Sequence, residues 1–179
     1  MIMLVRHGEA AASWGAHKDP GLSETGHHQA AAVAEELSYF NHEQIITSPM
    51  RRCRETADHF SQLCGKPVKV DHAVTEIPTP AGLEDRSSWL KGLMSGTWET
   101  APELLLNWRH ELLKKLASMP EDCVVFSHFV AINAIVGALE KSDKVMLFRP
   151  DHCSMTIIRQ SISGPKLVKR GAESETRIL

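Results

Sequence analysis

The chain has no surplus of charge of either sign: 20 Lys and Arg against 22 Asp and Glu leave a formal net charge of -2. Its nearest approach to a basic cluster is Arg51, Arg52 and Arg54, interrupted by Cys53 and followed by Glu55. Nucleic acid and anionic membranes are bound by denser cationic surfaces, so neither is expected as a partner. Long hydrophobic runs are also lacking. No stretch reaches the roughly 18 unbroken apolar residues of a membrane helix. The apolar residues 1–5 give way at once to Arg6 and His7, with neither a signal-peptide core nor a small-residue cleavage site. A soluble, cytoplasmic protein is expected. The four cysteines, Cys53, Cys64, Cys123 and Cys153, form no CxxC pair, and a chain of this size folds without staples, which points to reduced, packed thiols. Zinc-ligand spacing, an HExxH helix and a Gly-rich Walker loop are all absent. No metal, no cofactor and no nucleotide binding of the Walker kind is therefore expected.

What is present suffices for one core. With 179 residues, 42% of them hydrophobic, one domain over residues 1–179 is expected rather than two. Short apolar runs at residues 1–5, 44–47, 68–70 and 123–127 read as strands, and the first and fourth are apolar throughout, which suits a sheet covered on both faces. Helical stripes lie between them. Ala30, Val33, Ala34 and Leu37 follow a Ser23 N-cap, and a second helix runs from Met50 to about Cys64, ended by Gly65 and Pro67. Leu105, Trp108, Leu112 and Leu116 form a third stripe, and Ile132, Ile135, Val136 and Leu139 a fourth. The alternation predicts βαβ units in an α/β fold, a three-layer α/β/α sandwich with a mostly parallel central sheet. Residues 155–159 and 167–169, joined through Ser163, Gly164 and Pro165, read as an antiparallel hairpin at the sheet edge. Residues 77–100, punctuated by Pro78, Pro80, Gly82, Gly92 and Gly96, read as an irregular excursion on the substrate side, ordered by Trp89 and Trp98.

The chemistry gathers where strands turn polar. Strand one ends in Arg6-His7-Gly8-Glu9, the second in Thr47-Ser48-Pro49 with Arg51 and Arg52 following, and the fourth in Ser127-His128. In a parallel sheet these ends share the carboxyl edge, where open α/β folds bind ligands. Guanidinium forks match phosphate oxygens, and an imidazole can be phosphorylated and then relieved by water. Gly8 allows a ligand or backbone to approach closely, and backbone N–H groups after His128 supply a helix terminus for an anion.

The blocks Leu4-Val5-Arg6-His7-Gly8-Glu9-Ala10, Leu22-Ser23-Glu24-Thr25-Gly26 and Thr47-Ser48-Pro49-Met50-Arg51-Arg52, followed by a later strand ending in Ser127-His128, resemble the histidine phosphatase superfamily, also called phosphoglycerate mutase-like. The resemblance spans residues 1 to about 160. It implies that His7 is the nucleophile, Arg6 and Arg52 clamp the phosphoryl group, and His128 is the second histidine of the pocket. Arg51 is then a neighbour on the helix. Glu76 matches the acid that protonates the leaving oxygen and then activates water, with Glu84 and Asp85 as alternatives for that role. With charge supplied by arginines, the implied chemistry is metal-independent.

The chain departs from the family pattern in places. Where many members carry RHGxTxxN, it has Ala10 and Ser13, and Ser13 retains a hydroxyl for a phosphate oxygen. Phe129 stands where glycine usually follows the second histidine, keeping its backbone N–H for the phosphate while narrowing the pocket, and Asn133 stands where an arginine is common. Ile77-Pro78-Thr79-Pro80 replaces the usual FGxWEG. These changes bear on the substrate rather than the core chemistry. The leading expectation is a phosphomonoester hydrolase working through phosphohistidine on a small phosphorylated metabolite or a phosphohistidine-bearing protein. A sensor or interaction module for phosphoryl ligands is a second reading, and a phosphoglycerate-type mutase a third. A chain this short leaves little room for a mutase's substrate-binding insertion.

The remaining polar residues receive simpler readings. Arg51 and Arg54 belong to a solvated helix face, and His27, His28, His42, His59, His72 and His110 to the surface. Trp89, Trp98 and Trp108 read as core, with the lining of a substrate lid beside Arg86 as the alternative for Trp89, and Asp151-His152-Cys153 as a metal cluster only if a further ligand arrives from elsewhere.

Overall fold

A computed structural model describes residues 1–12 and 19–174. Strands β1 (Ile2–Arg6), β2 (Gln44–Thr47), β3 (Val68–Val70), β4 (Cys123–Ser127), β5 (Met155–Arg159) and β6 (Lys166–Lys169) form one sheet in the order β3-β2-β4-β1-β5-β6. The first four run parallel; β5 pairs antiparallel with β1, and β6 antiparallel with β5. Helices α1 (Glu24–Ser38), α2 (Arg51–Cys64), α3 (Arg86–Met94), α4 (Glu103–Ser118) and α5 (Phe129–Leu139) complete the described chain. None of the helices in the described residues is long and apolar enough to cross a membrane.

Strand alternation sorts the core into two layers. Met3, Val5, Val124 and Phe126 point to one face, where Val33, Ala34 and Leu37 of α1 and Cys53, Ala57 and Phe60 of α2 cover them. Ile2, Leu4, Cys123 and Val125 point to the other, under Leu112 and Leu116 of α4 and the apolar length of α5. Strands β1 and β4 are buried over all five residues, as uninterrupted apolar runs between two helical layers must be.

Local signals set the element ends. Ser23 Oγ accepts from Gly26 N at 3.0 Å and starts α1. Gly65 closes α2 with φ of 69°, in the left-handed region glycine tolerates. Gly8 is needed for packing of backbone on backbone. A Cβ there would sit 2.6 Å from the Gly26 carbonyl oxygen, so the loop after β1 lies directly on the first turn of α1. Gly8→Ala is expected to cost about 2 kcal/mol and to lower Tm by roughly 4–8 °C in a melt followed by circular dichroism.

The excursion at residues 77–100 is more regular than its proline and glycine content suggests. It contains α3 and a 3-10 turn at Trp98–Thr100. Asp85 starts α3, its carboxylate accepting from the backbone N of Ser88 at 3.0 Å and from the Ser88 hydroxyl at 2.6 Å. Leu90, Met94 and Trp98 then bury into the α4–α5 layer. Trp98 and Trp108 lie 6.2 Å apart between ring centroids, and the Arg109 guanidinium covers Trp98 at 5.0 Å.

Candidate active site

The carboxyl ends of β1, β2 and β4 meet at one edge of the sheet, and each delivers a polar group at the point where its apolar run stops. Arg6 ends β1 and His7 follows it, Ser48 follows β2 with Arg52 in the first turn of α2, and His128 stands between β4 and α5. Arg6, His7, Ser48, Arg52 and His128 are all buried, none more than 4% exposed.

Two hydrogen bonds define His7. Its Nδ1 lies 2.7 Å from the Gly8 carbonyl, an acceptor only, so Nδ1 carries the proton. Arg52 Nε–H donates to His7 Nε2 at 3.1 Å, so Nε2 carries the lone pair. The Gly8 peptide is fixed in turn: its N–H donates to Thr56 Oγ1 at 3.1 Å, and that hydroxyl donates to the Arg52 carbonyl at 2.7 Å. His128 is defined the same way. Arg52 NH2 donates to its Nδ1 at 3.2 Å, which leaves the proton on Nε2, 2.7 Å from Ser48 Oγ. One guanidinium fork thus faces the lone pairs of two imidazoles whose centroids are 5.2 Å apart. Burial, then the Arg52 charge, holds both histidines well below the usual histidine pKa; His128 adds to the effect on His7, and Arg6 to both. Both rings are neutral at neutral pH, and His7 Nε2 is available as a nucleophile.

Arg6 is gripped on three sides. Its NH1 donates to the Pro150 carbonyl at 2.8 Å, its NH2 donates to His152 Nε2 at 3.0 Å, and its guanidinium carbon lies 5.2 Å from the centre of the Phe129 ring. Phe129 therefore turns its ring to Arg6, while its backbone opens α5. Ser13 lies outside the described residues.

Glu76 comes from the segment after β3 and the 3-10 turn His72–Val74. It is 5% exposed, with Oε1 accepting from Ile77 N at 2.9 Å and Oε2 accepting from Val130 N, in the first turn of α5, at 3.4 Å. Burial raises its pKa above that of an ordinary carboxyl, against the pull of the Ile77 N–H, the Arg52 charge and the Val130 N–H. The two alternatives differ in placement: Glu84 and Asp85 are exposed, and Asp85 is occupied as the α3 cap. Arg51 turns outward to Glu55, with Nε to Oε1 at 2.6 Å. His42, read as a surface residue, is half-buried and packs on Phe60 with centroids 4.7 Å apart.

Three neighbours of the site have roles that the sequence reading did not assign to them. Ser48 and Thr56 hold His128 and Gly8 as described, and Asn133 is a staple within the fold: its Oδ1 accepts from Leu147 N at 2.8 Å and Phe148 N at 3.1 Å. The fourth strand-end contributor is His152, whose ring lies 6.1 Å from that of His7. Its signal was the edge hairpin. A strand antiparallel to β1 starts where β1 ends, so residues just before β5 must arrive at this edge.

A buried neutral imidazole facing an arginine fork, with a second imidazole and a protonatable carboxyl nearby, is an arrangement chemically suited to a phosphoryl group. The family comparison agrees: the model of the histidine phosphatase superfamily (branch 1) matches residues 2–173, and the chain belongs to that superfamily. Among its relatives is the protein of Photorhabdus laumondii named "Probable phosphoglycerate mutase GpmB", 29% identical over 162 residues that cover 77% of this chain and 74% of that protein. A mycobacterial glucosyl-3-phosphoglycerate phosphatase solved with VO3 superposes with a TM-score of 0.74 at 24% identity, covering 96% of this chain and 98% of the other. The Entamoeba histolytica phosphoserine phosphatase in complex with 3-phosphoglyceric acid gives 0.74 at 21% identity, covering 99% and 98%. These structural likenesses establish the fold.

Proposed function

We propose that the protein hydrolyses phosphomonoesters in two steps through a phosphohistidine on His7, without a metal ion. The observation that carries this reading is the pair of hydrogen bonds on His7, which fixes the Nδ1–H tautomer and aims the Nε2 lone pair at the Arg52 fork. In the first step Arg52 and Arg6 bind the non-bridging oxygens, His7 Nε2 forms a bond to phosphorus, and the bond to the ester oxygen breaks. Glu76, protonated, gives its proton to that oxygen. The phosphorylated ring keeps Nδ1–H on the Gly8 carbonyl, which stabilises its positive charge. In the second step Glu76, now a carboxylate, takes a proton from water as the water oxygen attacks phosphorus and the bond to Nε2 breaks, releasing phosphate. The arginines supply the positive charge that a metal would otherwise bring to the transition state.

The raised pKa of Glu76 suits an acid that must be protonated before it acts. Glu76→Gln should slow phosphoenzyme formation from an alkyl phosphate by about 10²-fold and leave an aryl phosphate, whose leaving group needs no proton, much less affected. The same substitution has a stability signature. A carboxyl whose folded pKa is raised contributes stability that is present below its unfolded pKa and lost as pH rises through the folded one. Glu76→Gln should therefore melt higher than the wild type at pH 8 and lose that advantage at pH 4.

Small phosphorylated metabolites are the favoured substrates, since the fold neighbours carry names such as glucosyl-3-phosphoglycerate phosphatase and phosphoserine phosphatase. A phosphohistidine-bearing protein is a second candidate. The name of the Photorhabdus relative favours a mutase as the competing reaction. One assay separates them: phosphate release from a panel of phosphomonoesters, with chelator present, with and without a phosphorylated sugar acid as acceptor. Chelator-resistant release to water supports hydrolysis. Transfer to the acceptor without net release would replace it with the mutase reading.

A further inference from the structure

His152 is a second polar device at this edge, and the phosphoryl-transfer steps make no use of it. It reaches the site on a loop that the fold takes trouble to build. Cys153 holds φ of 57°, a left-handed conformation that costs a non-glycine residue energy and persists only where its surroundings impose it. The imposing contacts are visible. Cys153 N donates to the Arg6 carbonyl at 3.0 Å and Asp151 N to the Ala172 carbonyl at 2.8 Å. Asp151 Oδ1 accepts from His152 N at 2.7 Å and from the Ser174 hydroxyl at 2.6 Å. The segment after β6 thus braces the loop against the end of β1, and the side chain so delivered puts Nε2 3.0 Å from Arg6 NH2.

An arginine can only donate, so this contact requires His152 Nε2 to be an acceptor and the ring to be neutral. Burial and the adjacent Arg6 charge hold the His152 pKa down to about 4, against the opposing pull of Asp151 and Glu9, so the ring is neutral at physiological pH. The Pro150 carbonyl and the Phe129 ring hold the rest of the same guanidinium. Of these three described contacts to Arg6, the Pro150 carbonyl is backbone and the Phe129 ring is apolar, and His152 alone accepts through a side-chain nitrogen.

We infer that His152 is a positioning residue for phosphate recognition, which fixes the Arg6 fork through a hydrogen bond accepted at Nε2 and acts on the phosphoryl group only through Arg6. This rests on reading the site as a phosphoryl pocket. Its consequence is that the bond, and not the imidazole as such, is what matters. Glutamine places an amide oxygen at about the reach of Nε2 and should replace it; alanine should not.

The test is calorimetric binding of inorganic phosphate to four variants whose thermal melts show them folded: His152→Ala, His152→Gln, Arg6→Gln and the double variant His152→Ala/Arg6→Gln. His152→Ala is expected to weaken phosphate binding about tenfold, the loss of order in one charge-assisted contact. His152→Gln should recover most of that, and the double variant should bind no worse than Arg6→Gln alone, because His152 acts through Arg6. Wild-type affinity in His152→Ala, no recovery with glutamine, or effects that multiply in the double variant would each overturn the inference while leaving the pocket in place. Failure of the wild type to bind phosphate at all would overturn the reading of the pocket, and this inference with it.

Discussion

Replacing His7 with alanine lowers phosphate release by about 10⁴-fold or more, the scale seen when a covalent nucleophile is removed from an otherwise intact site. The arginines remain and still bind phosphate, so the loss falls on kcat rather than on ligand affinity. The size of the effect follows from the geometry. His7 Nε2 is a neutral, correctly oriented lone pair under the Arg52 fork, and among the described residues no second group is poised equally. His128 presents its lone pair to the same fork through Nδ1 and commits its N–H to Ser48. Steady-state phosphate release with the best substrate of the panel, alongside phosphate binding to the same variant, checks this. A variant that binds phosphate normally and retains more than about a hundredth of wild-type turnover would move the nucleophile elsewhere.

Arg52→Ala should be the next most severe change, lowering kcat/KM by about 10³-fold, on the scale of losing a fixed donor at the site of developing charge. Lysine should recover little of it. Only a planar fork donates to His7 Nε2 at 3.1 Å through Nε and to His128 Nδ1 at 3.2 Å through NH2 at once. The pH profile should move as well. Arg52 is the largest charge holding both imidazoles below their ordinary pKa. Its removal should raise the pKa of His7, so the acid limb of kcat/KM, where His7 becomes protonated and inert, should shift to higher pH. An unshifted acid limb, or near-complete rescue by lysine, would show that Arg52 acts as a point charge remote from His7.

Much of the placement of this site is legible in the sequence, for a physical reason. Strands buried on both faces must be apolar throughout, so the residue at which each turns polar marks the edge of the core. Arg6, His7, Ser48 and His128 all sit at such breaks, and parallel pairing of β1, β2 and β4 brings those breaks together. Gly8 was legible as a place of close approach, although what approaches is the first turn of α1. His152 was not, because its loop reaches the edge from an antiparallel strand, and the run Asp151-His152-Cys153 offered no more than a conditional metal cluster, with no pointer to an acceptor for Arg6. Helix α3 was hidden for another reason. Nine residues are too few for a clear stripe among Pro78, Pro80, Gly92 and Gly96, and its start depends on one Asp85 cap. The burial of Glu76 likewise comes from the α5 terminus, some fifty residues away in the chain, which no local pattern reports.

The phosphorylated intermediate itself can be trapped. Wild-type protein mixed with substrate, quenched in alkali and followed by intact mass and peptide mapping should carry one base-stable, acid-labile phosphoryl group on His7. That group should build up further in Glu76→Gln when an aryl phosphate is supplied, and be absent from His7→Ala. Turnover by the wild type with no such adduct on His7, under quench conditions that preserve phosphohistidine in a control peptide, would contradict the two-step mechanism.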